Sequence, residues 1–316
     1  MLTRREWLSL TLATSAAAAL DRAWLSAQQP LISRAIPATG ERIPIVGLGS
    51  SATFSQVARA ADVTAIGDVL KAMIGGGGTV FDTAPGYGAS EEVAGRVAAD
   101  LSFTEKIFWA TKVNVAGFGG GSADPAAAWA QVDQSFTRIK KKTIDLIQVH
   151  NLADIPTQLG ILKELKQKGR IRLIGVTTTF DQQYSQIVDI MRREPIDFIG
   201  IDYAIDAREA EDAILPVAQE RKVAVMVYQP FGRTRLWNRV GDRPVPDYAK
   251  EFDATTWAQF FIKFVASHPA VTVITPATSQ AKNMTDNLGG GRGRLPDAAM
   301  RKRMIATIDA LPAAGR

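Results

Sequence analysis

A chain of 316 residues that is 46% hydrophobic and 22% charged carries enough apolar material for a sizeable core and does not have a disordered composition. Its formal charge of +5 comes from scattered lysines and arginines, without the basic block or aromatic-interleaved basic face that nucleic-acid binding calls for. The absence of cysteine excludes disulfides, thiolate zinc centres and cysteine nucleophiles, and two histidines in the whole chain argue against a multi-histidine metal site.

The amino terminus opens Thr3-Arg4-Arg5-Glu6-Trp7-Leu8, continues through a weakly polar segment to Leu20 and reaches a small-residue region near Ala27. That layout predicts a twin-arginine-type signal peptide over residues 1–27. The segment is shorter than the ~20 apolar residues a spanning helix needs, so no stable membrane anchor is expected. The expected mature chain is one barrel domain over residues 28–316, passed through the twin-arginine (Tat) export machinery to the periplasm. Leu25-Ser26-Ala27 is an imperfect small-x-small match and leaves the cleavage point open.

From Pro30 the pattern becomes regular. Residues 32–45, interrupted by Gly40, predict a β-hairpin able to plug the bottom of a barrel, and residues 45–49 a first strand. Helical periodicity over 63–74 ends in the glycines at 75–78. Apolar strands then follow at 79–82, 107–112, 144–150, 173–177, 198–202, 224–228 and 272–276, separated by helical patterns such as 91–101, 125–139 and 156–168. Eight such units predict an α/β fold, a (β/α)8 TIM barrel with an N-terminal β-hairpin, whose site lies at the carboxyl ends of the strands. Gly47-Leu48-Gly49-Ser50-Ser51-Ala52 formally fits the dinucleotide fingerprint G-x-G-x-x-A, but residues 53–60 read as loop, and a tight strand exit is the better reading.

Three successive strand ends carry chemistry. Phe81-Asp82-Thr83-Ala84-Pro85-Gly86-Tyr87-Gly88-Ala89-Ser90-Glu91 joins an acid closing a strand to a tyrosine in a glycine-rich loop and a Ser-Glu helix start. Lys112 follows the second strand and His150 the third. Singly, a strand-end acid or lysine is as readily structural or solvated; the joint occurrence makes coincidence a poor explanation. His268, before Pro269, reads as structural.

This set resembles the aldo-keto reductase family, whose Asp, Tyr, Lys and His tetrad matches Asp82, Tyr87, Lys112 and His150, and the resemblance runs from about Ile43 to Asn287. It implies NADP(H)-dependent reduction of a small-molecule aldehyde or ketone, with NAD(H) as the second cofactor to consider. The alternative it leaves is a dinucleotide-binding regulatory or sensor barrel with little turnover. Tyr228, in Tyr228-Gln229-Pro230-Phe231-Gly232, matches the tyrosine that stacks on the nicotinamide ring, placing Pro230 and Gly232 in the cofactor loop. Asp286-Asn287 is similar to the family's Glu-Asn pair at the adenine end, and Thr278 lies in a loop resembling Pro-Gly-Thr-Ser. Lys282, Arg233 and Arg235 are the cations available to a 2′-phosphate. The chain departs from the family where Ser-Asn appears as Thr177-Thr178 and the sixth-strand glutamine as Gly200.

Hydride reduction leaves negative charge on oxygen, so the site must deliver a proton. A tyrosine, with pKa about 10 when free, is suited to this if a neighbouring cation lowers that value. Lys112 is expected to supply the cation, Asp82 to hold it, and His150 to orient the carbonyl oxygen. Phe54, Phe118 and Trp237 are candidates for the pocket wall; Trp129 reads as helix packing.

Overall fold

The computed structural model describes residues 29–117 and 121–312, so the leader expected over residues 1–27 and Phe118 lie outside the described residues. A short antiparallel hairpin, β1 (Ser33–Ala35) and β2 (Arg42–Pro44), precedes the main sheet. The parallel strands are β3 (Leu48–Gly49), β4 (Val80–Asp82), β5 (Phe108–Val113), β6 (Ile144–His150), β7 (Ile171–Thr178), β8 (Phe198–Asp202), β9 (Ala224–Tyr228) and β10 (Val271–Ile274), each paired with its neighbour in sequence. Backbone bonds from Gly47 N to the Ile274 carbonyl (2.8 Å) and from Gly49 N to the Pro276 carbonyl (3.0 Å) join the last strand to the first and close the barrel.

Closure explains the Gly-x-Gly segment. A Cβ on Gly49 would stand 2.5 Å from the Thr275 carbonyl oxygen, so the glycine serves close backbone approach at the seam. Inside, Val80, Phe108, Leu146, Leu173, Phe198, Ala224, Met226 and Val273 fill the barrel, and Ile36 and Ile43 of the hairpin region pack against them as the expected plug. Strand alternation then carries the inward face up to Asp82, Lys112, Gln148, His150, Thr177 and Tyr228. No described helix is long and apolar enough to cross a membrane.

One expected loop is a helix. Thr53–Arg59 is helical and buries Phe54 and Ala58, one turn apart, with the Phe54 ring 5.4 Å edge-on to Phe81 and Phe81 5.1 Å from Trp109. Weak local propensity in Thr-Phe-Ser-Gln-Val is overridden by this packing. Phe54 is therefore core and not a pocket wall.

The helix Ser90–Asp100, which follows the tyrosine loop, is fastened at its start. Ser90 Oγ donates to the Ser50 carbonyl at 2.9 Å. Glu91, 1% exposed, accepts from Thr111 Oγ1 at 2.5 Å, Ser135 Oγ at 2.9 Å and Arg138 at 3.2 Å. The Ser-Glu pair thus ties the loop to the strand that carries Lys112. Glu91→Ala strands the buried Thr111 hydroxyl and unpairs the partly buried Arg138, and is expected to cost about 3 kcal/mol, read as a lower midpoint in urea denaturation.

Candidate active site

Lys112 is the centre of the site. Its ammonium, 1% exposed, donates to both carboxylate oxygens of Asp82 and to the Thr83 carbonyl, all at 2.8 Å. Three N–H donors meet three acceptors, which is the condition under which a buried ion pair is tolerable. The register that pairs Asp82 with Ala110 across β4 and β5 puts Lys112 two residues further on, and so on the same inner face as Asp82. Burial works against the charged form, but Asp82 and Tyr87 outweigh it and hold the Lys112 pKa above the usual lysine value.

Tyr87 turns its ring toward this cation, with the ammonium 4.9 Å from the ring centroid, and meets His150 edge-on at 5.8 Å between centroids. The four sequence-predicted residues are therefore brought together. The expected direction of the tyrosine shift is not found. Burial raises the Tyr87 pKa above 10.0 and Asp82 adds to the rise, while Lys112 offsets only part. The chain thus holds Tyr87 as a neutral phenol with its proton in place. Burial and the Lys112 charge lower the His150 pKa to about 3, so His150 is a neutral imidazole able to donate one N–H without competing as an acid.

Tyr228 reaches the same cluster from β9. Its hydroxyl donates to Asp82 Oδ1 at 3.3 Å and accepts from Gln148 Nε2 at 3.1 Å, and its ring centroid is 5.1 Å from the Lys112 ammonium. Gln148 was legible in principle, since it lies two residues before His150 and shares its inward face. Among the described residues, buried side-chain atoms without a partner include Ser50 Oγ, Thr83 Oγ1, Gln148 Oε1 and Thr275 Oγ1, at or just beyond the carboxyl ends of β3, β4, β6 and β10. Of these, Gln148 belongs to the cluster around Lys112 and gives it unused hydrogen-bonding capacity.

The remaining predicted positions divide. Thr177 Oγ1 accepts from Asn151 N at 3.5 Å, whereas Thr178 Oγ1 donates to Gln183 at 2.5 Å and accepts from Phe180 N at 3.1 Å. Pro230 and Gly232 are buried in the loop after β9, Gly232 with φ 57°. Arg235 pairs with Asp206 at 3.2 Å, and Arg233 donates to the neutral Gln229 at 3.2 Å. After β10, Thr278 is buried and accepts from Gln280 N at 3.2 Å, Lys282 is exposed at the start of the helix Ala281–Gly289, and Asn287 is buried. Asp286 is already engaged by Thr256 Oγ1 at 2.9 Å and Gln259 Nε2 at 2.8 Å. Trp237 and Phe180 stand half-exposed on the loops after β9 and β7, and Phe180 is a wall candidate that sequence reasoning missed.

A cleft of about 730 Å3 opens at the opposite end of the barrel. Much of its charge is mutually paired: Asp145 accepts from Lys141 at 2.6 Å, Arg172 at 2.7 Å and Trp109 N at 2.8 Å. That network fastens strands and leaves the chemistry at the mouth.

The profile of the Aldo/keto reductase family matches residues 45–306. The aldo-keto reductase YhdN of Bacillus subtilis (strain 168) is 30% identical over 211 residues, which are 64% of this chain and 62% of that protein, so the match spans less than two thirds of the relative's length. A probable aldo-keto reductase 1 of Glycine max is 25% identical over 274 residues, 74% of this chain and 77% of that one. The fold is shared with an aldo-keto reductase from Klebsiella pneumoniae solved in complex with NADPH, at TM-score 0.70 and 22% identity over 89% of this chain and 95% of that one.

The His150 shift has a sign that can be measured. With a folded value near 3 against 6.5 unfolded, the unfolded chain binds the extra proton, so the stability present above pH 6.5 is lost as pH falls toward 3. His150→Gln is expected to flatten the decline in thermal midpoint across that window relative to wild type.

Proposed function

The chain belongs to the aldo/keto reductase family of NAD(P)H-dependent oxidoreductases, and from that premise we propose that it reduces an aldehyde or ketone with NADP(H), using Tyr87 as proton donor. The observation that carries this reading is the convergence of Tyr87 and His150 on the Lys112–Asp82 pair at the barrel mouth. Retention of all four groups supports an enzyme over a regulatory barrel with little turnover.

The residues at the mouth suit a dinucleotide. The unpartnered polar atoms of Ser50, Thr83, Gln148 and Thr275 offer hydrogen bonds at the strand ends. Thr278, Lys282 and Asn287 would hold the phosphate and adenine end, with the exposed Lys282 ammonium at a helix start suited to a 2′-phosphate. Thr177, Pro230 and Gly232 would border the reactive end. Asp286 would act indirectly, since its carboxylate is bound by the helix Trp257–Ala266. NADPH would supply the hydride.

The chain's own groups supply the rest. His150, neutral, donates its N–H to the substrate oxygen and fixes the carbonyl in front of Tyr87. As negative charge develops on that oxygen, the Tyr87 hydroxyl hydrogen passes to it, and the O–H bond of the alcohol replaces that of the phenol. The tyrosinate left behind faces the Lys112 ammonium, which Asp82 and the Thr83 carbonyl keep in place. Tyr87 and His150, although desolvated, keep part of their surface exposed at the mouth, where a substrate can reach them. Half-exposed Trp237 and Phe180, in the segments after β9 and β7, are apolar surfaces available to a carbonyl compound's side chain.

We also propose that residues 1–27 are a twin-arginine-type leader and that the barrel domain, residues 28–316, works in the periplasm. Arg4-Arg5 ahead of a weakly polar segment supports this, as does a cysteine-free chain whose folding needs no oxidising compartment.

Tyr87→Phe is expected to lower kcat for aldehyde reduction by about 100-fold or more while leaving NADPH affinity, read by quenching of protein fluorescence, within about two-fold. Activity close to wild type would remove Tyr87 from the role of acid. Changing Arg4 and Arg5 together to lysine is expected to retain the protein in the cytoplasmic fraction; unaltered export would overturn the route.

A further inference from the structure

The inward placement of Tyr228 assigns it work that the resemblance did not. A tyrosine at the end of β9 that served only as a flat surface for a ligand ring would need no partner for its hydroxyl. Here the phenol is built into the catalytic pair. Gln148 Nε2 donates to the Tyr228 hydroxyl at 3.1 Å, which leaves the phenol's single proton for Asp82 Oδ1 at 3.3 Å. The bonds therefore run in one direction, from Gln148 through Tyr228 to Asp82. Asp82 also takes two bonds from Lys112, so its buried carboxylate has three donor contacts, two from the cation and one from the opposite side of the barrel.

The ring has a second consequence. The Lys112 ammonium is near two tyrosine rings, 4.9 Å from the centroid of Tyr87 and 5.1 Å from that of Tyr228. Its protons go to Asp82 and the Thr83 carbonyl, and it acts on the nearby Tyr87 phenol by charge and by hydrogen bonding, so its position is what matters.

This arrangement requires Gly200. A Cβ at position 200 would stand 2.5 Å from both Cε2 and the hydroxyl oxygen of Tyr228 and 2.7 Å from Cζ. No side chain, not even alanine, leaves room for the ring where it is. Position 200 is also where the chain departs from the family pattern, so the departure and the inward ring are two halves of one change. Gln148 completes it, since its Cα pairs with that of Lys112 across β5 and β6.

We propose that Tyr228 is a positioning residue of the active site: with Gly200 giving it room and Gln148 directing its proton, it holds the Asp82 carboxylate, and through it the Lys112 ammonium, against Tyr87. This rests on the reading of Tyr87 as proton donor.

The test uses the full chain with Tyr228→Phe, Gly200→Ala, Tyr228→Ala and the double variant Gly200→Ala/Tyr228→Ala, alongside wild type and Tyr87→Phe. Tyr228→Phe keeps the ring and removes one hydroxyl. It is expected to lower kcat about 10-fold, the size of one lost bond to a charged group, with NADPH affinity by fluorescence quenching within about two-fold. The basic limb of the pH–rate profile, where the donor loses its proton, is expected to move to higher pH as the ammonium drifts from Tyr87. Unchanged kcat and an unmoved limb would overturn the proposal, as would a variant that lost only NADPH affinity or only thermal stability. Gly200→Ala is expected to reproduce the kcat loss in the wild-type background and to add nothing once Tyr228→Ala has removed the ring; a further loss there would break the pairing of the two positions. One readout needs no turnover: the near-ultraviolet phenolate absorbance that disappears with Tyr87→Phe is expected to titrate at higher pH in the Tyr228→Phe chain. If wild type reduces no carbonyl and that shift is still seen, the proposed function fails and the positioning role stands. If wild type turns over and neither the limb nor the phenolate titration moves, the positioning role fails alone.

Discussion

A lysine and an aspartate sealed inside the barrel mouth are the constraint around which the rest of the molecule is arranged. Removing two charges from water costs several kcal/mol per ion, and the attraction between them repays this only when the remaining bonding capacity is met. The Lys112 ammonium meets it by using the Asp82 carboxylate and the Thr83 carbonyl together. Such a pair has to be carried on rigid elements. β4 and β5 supply them, and Glu91 fastens the helix beyond the tyrosine loop to Thr111, the immediate neighbour of Lys112. Thr111, which holds the structural acid Glu91, and Lys112, the cation of the site, are thus adjacent residues of one strand with their side chains on opposite faces.

The electrostatic order inside the mouth follows from the same pair. Burial, reinforced by one fixed positive charge, keeps His150 neutral, and the same charge counters, without cancelling, the burial that keeps Tyr87 protonated. The sequence-based expectation took the lysine's effect on the phenol and left out the cost of desolvating a phenolate, which here is the larger of the two. A donor needs its proton in the resting state and a stabilised conjugate base afterwards. Burial supplies the first and Lys112 the second.

What was legible in the sequence was whatever depends on period and residue type. The eight strands announced themselves as apolar runs, and a polar or charged residue closing such a run has little to do in a core, so Asp82, Lys112 and His150 stood out, and with them Tyr87 in the glycine-rich loop after Asp82. What was not legible depends on partners distant in the chain. The helix Thr53–Arg59 exists because Phe54 finds Phe81, and no local pattern records that. Thr177 and Thr178 are neighbours in sequence, yet alternation sends them to opposite faces, and the Thr178 hydroxyl is engaged by Gln183. The direction of Tyr228 is set by Gly200 and Gln148, residues that separately look like a strand glycine and a strand amide.

The mouth also carries a deficit that the rest of the barrel does not explain. Ser50 Oγ, Thr83 Oγ1, Gln148 Oε1 and Thr275 Oγ1 are buried without partners, and each such atom costs roughly 1–3 kcal/mol when left unpaired. A fold that served only itself would lose these groups readily, because an alanine or valine at the strand ends would relieve the cost. Gln148 Oε1, beside the Lys112–Asp82 pair, and the others at the strand ends have a physical meaning if a polar ligand supplies the missing partners. A ligand bound at about 1,000 times its dissociation constant would then return about 4 kcal/mol to the folded state. The same groups that make the mouth costly when alone would give a bound dinucleotide its hold, so that stability and function draw on one set of atoms.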